Sequence, residues 1–202
     1  GAGKSLCFML PARMLPGPTL IIFPLLSLMA DQARRVEEAG MQAAVLRGGQ
    51  ASGERRRLWD DINAGKTDMV LTNPETALQK DTLQKISQAG FSHLVIDEMH
   101  TVSEWGESFR PVYLEIGKLT ERTDIPIVTA FTATASDLIT EKVKKIVFPG
   151  LSPNIITANP DRPNIGYTVI PSICKDYDLA RLLAPEKAGT AKSTGRPSES
   201  PG

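Results

Sequence analysis

The sequence predicts an α/β protein, a mainly parallel β-sheet flanked by helices. Three observations predict it. Runs such as Thr19-Leu-Ile-Ile-Phe23 and Leu94-Val-Ile96 are apolar at every position, as strands covered on both faces must be. Stretches with helical spacing alternate with these runs, the order of a parallel sheet. Polar and glycine-bearing motifs follow the runs, and the carboxyl ends of parallel strands are where ligands gather.

The elements follow in order. The chain opens on Gly-Ala-Gly-Lys-Ser, and a helix is predicted from Leu6. Thr19–Phe23 is a buried strand stopped by Pro24. Leu25–Ala39 places Leu28, Met29, Val36 and Ala39 at helical spacing, and Gly40 stops it. Ala43–Leu46 is a short strand that ends at Gly48-Gly49. Ala51–Ala64 is a charged helix closed by Gly65. Met69–Leu71 is a strand ahead of the Asn73-Pro74 turn, and Leu83–Ala89 is helical and closed by Gly90. Leu94–Ile96 is a strand that runs into Asp97-Glu98. Val112–Thr120 is predicted helical and Ile127–Phe131 a strand. Ser136–Val147 is a helix capped by Ser136 or Asp137 and stopped by Pro149-Gly150. Asn154–Thr157 is predicted as a last short strand. From Ala188 to Gly202 no large apolar side chain occurs, so ordering entropy goes unopposed and a disordered tail is predicted.

Composition narrows the function classes. Hydrophobic residues make up 41% and charged residues 23%, a globular balance over most of the 202 residues. Lys plus Arg and Asp plus Glu are 23 each, so any nucleic-acid contact must come from a local patch. The most apolar run, Leu20–Ala30, is interrupted by Pro24 and Ser27 and is too short to cross a bilayer, so no membrane partner is expected. Cys7 and Cys174 make neither a zinc set nor a disulfide framework, and no export signal opens the chain; a reducing cytoplasm is the expectation. The start lacks an initiator Met, as if the chain began partway through a structural unit.

Two motifs carry the chemistry. Gly3-Lys4-Ser5 reads as the end of a phosphate-binding loop. Glycine lets backbone N–H groups turn onto phosphate oxygens, lysine supplies a point charge, and the serine hydroxyl reaches Mg²⁺. The following helix adds the positive potential of its N-terminus. Such a tripeptide is common by chance, so its weight comes from a second motif, Asp97-Glu98-Met99-His100. Two adjacent carboxylates at the mouth of an apolar strand are costly unless a cation or hydrogen bonds meet them. Asp97 suits Mg²⁺, and Glu98 suits orienting or deprotonating a water. Thr132 and Thr134 after the next strand can link such a site to neighbouring loops, though turn or capping roles would also explain them. Trp105, Phe109 and Arg110 offer stacking faces and a cation, with Gly106 between them; a helix face packed on the core is the alternative.

Together these residues resemble the first motor lobe of superfamily 2 helicases, and most closely the RecQ family. Gly1-Ala-Gly-Lys-Ser-Leu-Cys-Phe-Met-Leu-Pro-Ala12 resembles that family's motif I, and Pro24-Leu-Leu-Ser-Leu-Met-Ala-Asp-Gln32 its motif Ia. Asp97-Glu-Met-His100 resembles the DExH form of motif II, and Phe131-Thr-Ala-Thr-Ala135 motif III. Asn159-Pro-Asp-Arg-Pro-Asn-Ile165 is similar to the segment that leaves the lobe. The resemblance implies a RecA-like P-loop NTPase lobe that binds ATP and Mg²⁺, in a 3′-to-5′ DNA helicase of recombination and repair. It implies that Gly1, Ala2, Gly3, Lys4 and Ser5 hold the phosphates, that Ser5 and Asp97 hold Mg²⁺, and that Lys4 and Glu98 serve catalysis. His100, Thr132 and Thr134 would link nucleotide to DNA, and Trp105, Phe109 and Arg110 would belong to an aromatic-rich loop that senses single-stranded DNA. The family usually carries His where this chain has Glu107. Ser27 and the Thr72-Asn-Pro-Glu75 turn resemble DNA-backbone contacts, although a cap and a plain turn explain them as well. Arg55-Arg-Arg57 reads as a solvated face, and His93 needs no role.

The expected organisation is a helicase ATP-binding lobe over residues 1–170, the start of a connection to a second motor lobe over 171–187, and a tail over 188–202. The expected partners are single-stranded and tailed duplex DNA and that second lobe. By itself the 202-residue stretch is expected to be inactive, since the strand leading into the phosphate loop and the second lobe would lie outside it. An RNA helicase of the same superfamily and a non-catalytic nucleic-acid-binding module with the same fold are the alternatives.

Overall fold

The computed structural model describes residues 3–101, 110–132, 136–157, 164–166 and 168–183. It divides into two compact units, Gly1–Ile155 and Ile156–Gly202. The first unit is built on a five-stranded parallel sheet, as the alternating apolar runs predict. The strands are β1 (Thr19–Ile22), β2 (Ala43–Leu46), β3 (Met69–Thr72), β4 (His93–Ile96) and β5 (Ile127–Ala130). Their spatial order is β2-β3-β1-β4-β5. In register, Ile22 lies opposite Thr72 and Ile96, and Ile96 lies opposite Ala130. Four strands therefore end level, and the residues just beyond them meet at one edge. Backbone bonds carry that alignment past the strands: Phe23 N–H to Thr72 C=O at 2.8 Å, Asp97 N–H to Ile22 C=O at 3.0 Å, and Phe131 N–H to Ile96 C=O at 2.8 Å.

The strand period of two builds two cores. Leu20, Ile22, Val70, Leu94 and Ile96 face one way and pack with Trp59, Ile62, Leu83, Ile86, Ile116 and Leu119. Ile21, Met69, Leu71 and Val95 face the other way and pack with Phe8, Met29 and Val36. The second core is covered by α1 (Lys4–Met14) and α2 (Leu26–Glu38). The first is covered by α3 (Ser52–Asn63), α5 (Lys80–Gln88), α6 (Gly117–Arg122) and α7 (Asp137–Val147).

Several elements depart from the sequence expectation. The first helix starts at Lys4, not Leu6, directly after Gly3. The Asn73-Pro74 turn is a one-turn helix, α4 (Pro74–Ala77), because the Asn73 side chain accepts from Thr76 N–H at 3.3 Å and Pro74 pre-sets the first helical φ. The helix expected over Val112–Thr120 is split into a 3₁₀ turn, Pro111–Glu115, and α6. Gly117 explains the break in part: a Cβ there would run into the Ile146 carbonyl oxygen, so only glycine lets this turn approach α7. Asn154–Thr157 is not a strand; it pairs with no strand among the described residues, and Ile156 is 96% exposed. In the second unit the described residues include one unexpected helix, α8 (Lys175–Leu183), inside the stretch read as a connection. The tail expected over 188–202 lies outside the described residues. No helix among the described residues is long and apolar enough to cross a membrane.

Candidate functional site

The start of α1 and the end of β4 bring the two chemical motifs together. Gly3 stands at φ 77°, a left-handed conformation that glycine adopts without steric cost, and it starts α1 with no side-chain cap. Leu6 N–H turns back to Gly3 C=O at 3.0 Å, and no side chain caps the start of the helix ahead of it. Lys4, the first helical residue, places Nζ 3.3 Å from Asp97 Oδ1 and 2.5 Å from Glu98 Oε1. Burial works against its charge. The hydrogen bond to Glu98 and the negative charges of Asp97 and Glu98 outweigh that, so the Lys4 pKa rises above 10.5 and the ammonium is kept charged. Ser5 donates from Oγ to Gln32 Oε1 of α2 at 3.4 Å.

β4 delivers the carboxylates. Asp97 follows the last residue of that buried strand, and its Oδ1 accepts from Glu98 N–H at 2.9 Å. Glu98 has φ 52° and is the one positive-φ non-glycine residue among those described. A residue with a Cβ holds that conformation only where its surroundings enforce it. Here Thr101 donates to the Glu98 carbonyl from N–H at 3.0 Å and from Oγ1 at 2.8 Å, and Met99 N–H reaches Phe131 C=O at 2.8 Å. The Glu98 side chain is consequently shared: Oε1 takes Lys4, and Oε2 lies 3.3 Å from His100 Nδ1. The same His100 nitrogen is 3.5 Å from Thr132 Oγ1. Lys4, Asp97, Glu98, His100 and Thr132 thus form one continuous polar cluster across the ends of α1, β4 and β5.

The other predicted residues fall in four groups. Ser27 is exposed in the first turn of α2; Leu25, not Ser27, is the N-cap. Thr72 and Asn73 are buried, with Asn73 committed to capping α4. Arg110 is engaged inside the lobe: it donates to Pro24 C=O at 2.5 Å, pairs with Glu75 at 2.6 Å and lies over the Tyr113 ring, 5.4 Å from its centre. Burial pushes the Tyr113 phenol well above its usual range, with Arg110 pulling it down and Glu75 pushing it up. Gly1, Ala2, Trp105, Glu107, Phe109 and Thr134 lie outside the described residues. Two polar residues were missed by sequence reasoning, Gln32 beside Ser5 and Glu75 on Arg110. Both belong to quoted motif segments, but their partners are far away in the chain.

The residues present fit a Mg²⁺–nucleotide. Hard oxygen donors, the Ser5 hydroxyl and the Asp97 carboxylate, adjoin an uncapped helix N-terminus and a charged lysine. Among the described residues no group of three His, Cys, Asp or Glu could hold a metal unaided. That donor set matches a metal bound by one or two protein oxygens and completed by phosphate.

The DEAD/DEAH box helicase family model matches residues 1–142. The ATP-dependent DNA helicase RecQ of Pasteurella multocida is 32% identical over 187 residues, which cover 93% of this chain and 29% of that protein. The probable ATP-dependent DNA helicase RecS of Bacillus subtilis is 41% identical over 137 residues, 67% of this chain and 27% of that protein. The chain thus spans less than a third of either relative. Among solved structures, the Pyrococcus furiosus Hef helicase domain aligns with 73% of this chain and 31% of its own at a TM-score of 0.56 and 21% identity. A hypothetical ATP-dependent RNA helicase from Sulfolobus tokodaii aligns with 74% of this chain and 44% of its own at 0.54 and 22% identity. These structural likenesses speak to the fold alone.

Proposed function

Because this chain belongs to the DEAD/DEAH box helicase family, we propose that it is the ATP-binding first motor lobe of a RecQ-like, 3′-to-5′ ATP-dependent DNA helicase acting in recombination and repair. The observation that carries the reading is the meeting of Lys4 with Asp97 and Glu98 at the ends of neighbouring elements. That cluster has the parts that phosphoryl transfer to water requires. Residues 1–170 belong to that lobe, and 171–187 to the start of a connection to a second lobe.

Mg²⁺, when bound, neutralises charge on the β and γ phosphates. The chain's own residues do the rest. Gly1, Ala2 and Gly3 hold the phosphates. Lys4 leaves the carboxylates for the β and γ oxygens, a charge-assisted contact. Ser5 and Asp97 offer oxygens to the metal, and Gln32 orients the Ser5 hydroxyl. Released from Lys4, Glu98 Oε1 accepts the proton of the attacking water. His100, bridging Glu98 and Thr132, ties the position of that base to the segment after β5, and Thr134 serves the same link. Trp105 and Phe109 stack on bases, and Ser27 with the α2 N-terminus takes a backbone phosphate. Such a protein works on single-stranded and tailed duplex DNA in the cytoplasm, associated with the nucleoid if its source is bacterial.

ATP turnover of the full-length protein with single-stranded DNA, with RNA and with neither tests this. Strong stimulation by DNA, and ATP-dependent separation of a duplex with a 3′ single-stranded tail, are expected. Stimulation by RNA alone would move the protein to RNA helicases, and absence of any turnover would leave a binding module.

A further inference from the structure

Glu75 is the point where the exits of three neighbouring strands are tied together. Its carboxylate accepts from Arg110 at 2.6 Å and from Asn73 Nδ2 at 2.7 Å. The other arm of the Arg110 guanidinium donates to Pro24 C=O at 2.5 Å. Pro24 lies in the turn after β1, Asn73 and Glu75 in the segment after β3, and Arg110 in the segment after β4. From the first two turns the sheet leads directly to the carboxylates: Phe23 N–H bonds Thr72 C=O, and Asp97 N–H bonds Ile22 C=O.

We propose that Glu75 is a positioning residue for DNA-dependent ATP turnover: it holds Arg110 across the turns after β1 and β3, so that a shift of those turns is felt at Asp97 and Glu98. This rests on the function proposed above. Three features favour it. The pair is partly exposed, with side chains 38% and 23% accessible, so it adds little to stability and its value lies in geometry. A carboxylate repels a phosphate, so Glu75 acts through Arg110 and not by touching DNA. The fork geometry of arginine lets one side chain hold a carboxylate and a carbonyl at fixed separation, which a lysine could not do.

A double-mutant cycle in the full-length protein tests it. ATPase rates of Glu75→Gln, Arg110→Gln and the double variant are measured with and without oligothymidylate, beside thermal melts. Each single variant is expected to lower the ratio of DNA-stimulated to basal rate about tenfold, the size of an ordinary coupling between sites. The double variant is expected to be no worse than either single, Glu75→Asp to recover much of the ratio, and melting temperatures to stay within a few degrees. The proposal is overturned if Glu75→Gln keeps the ratio within twofold, if the two effects multiply in the double variant, or if basal and stimulated rates fall together with the melting temperature. An unmodified protein that turns over ATP but ignores oligothymidylate would overturn the reading of function, and this one with it; stimulation of the unmodified protein with independent effects would overturn the Glu75 role alone.

Discussion

Glu98 holds φ 52°, a region that costs an L-residue roughly 1–2 kcal/mol, and the hydrogen bonds of Thr101 and Asp97 around it keep it there. That conformation turns the carboxylate toward Lys4 on one side and His100 on the other. Glu98→Gln keeps the shape and removes the proton acceptor, so ATP binding is expected to survive while turnover falls ~10²–10⁴-fold. Lys4→Ala is expected to weaken ATP binding itself by about 10–100-fold, the worth of a hydrogen bond to a charged group. Nucleotide titration beside single-turnover hydrolysis separates the two effects, and normal hydrolysis by Glu98→Gln would remove Glu98 as the base. His93 supplies a pH dependence. It is buried on β4, with Nε2 2.9 Å from Thr129 Oγ1 and Nδ1 without a partner among the described residues. Burial lowers its folded pKa below 6.5. Between that lower value and 6.5 the unfolded chain binds more protons, so stability rises with pH there. This contribution is complete above pH 6.5 and is lost as pH falls toward the folded value, at no more than about 1.4 kcal/mol per unit. Urea unfolding from pH 7 downward should show a shallower slope for His93→Gln than for the unmodified protein; equal slopes would mean that His93 does not titrate on unfolding.

At the scale of elements, glycine and proline decide where α6 begins. Pro111 opens a 3₁₀ turn, and Gly117 lets the next turn press on the backbone of α7 at Ile146. Gly117→Ala would normally help a helix, by up to about 1 kcal/mol. Here the new methyl meets a carbonyl oxygen that cannot rotate away. A net loss of about 1–3 kcal/mol is expected, as for overpacking of a tight contact, and a chemical denaturation midpoint measures it. Most elements were legible because their signals are local. Gly40, Gly65 and Gly90 close α2, α3 and α5 as expected, each at positive φ. The misses have local causes too. Asn154–Thr157 has strand-like residues but no strand partner among those described, and residue type alone does not make a strand. α8 falls in the stretch expected to begin a connection, where no element is predicted.

On the scale of the whole molecule, one sheet separates two cores, and neither is optional. Ile21 and Ile22 are adjacent on β1 and both at most 1% exposed, yet they serve opposite faces. Ile21→Ala and Ile22→Ala should each cost about 2–5 kcal/mol. Ile127→Ala on β5 should cost clearly less, since Ile127 is 41% exposed. Urea unfolding of the three variants checks the ranking, and an Ile127 loss equal to the others would show that this end of β5 is covered in the protein. The sequence by itself determined the parallel α/β class and singled out Lys4, Ser5, Asp97 and Glu98 as candidates. A strand covered on both faces must be apolar throughout, and phosphate and metal chemistry needs particular side chains at fixed short spacing; both are properties of contiguous residues. Only the tertiary structure decided that Lys4 rests on Asp97 and Glu98, that Ser5 meets Gln32, and that Arg110 joins Glu75 to Pro24. Each of those contacts joins residues far apart in the chain. The helices packed on the sheet and the level ends of its parallel strands bring them together, and no spacing along the sequence encodes which side chains will meet there.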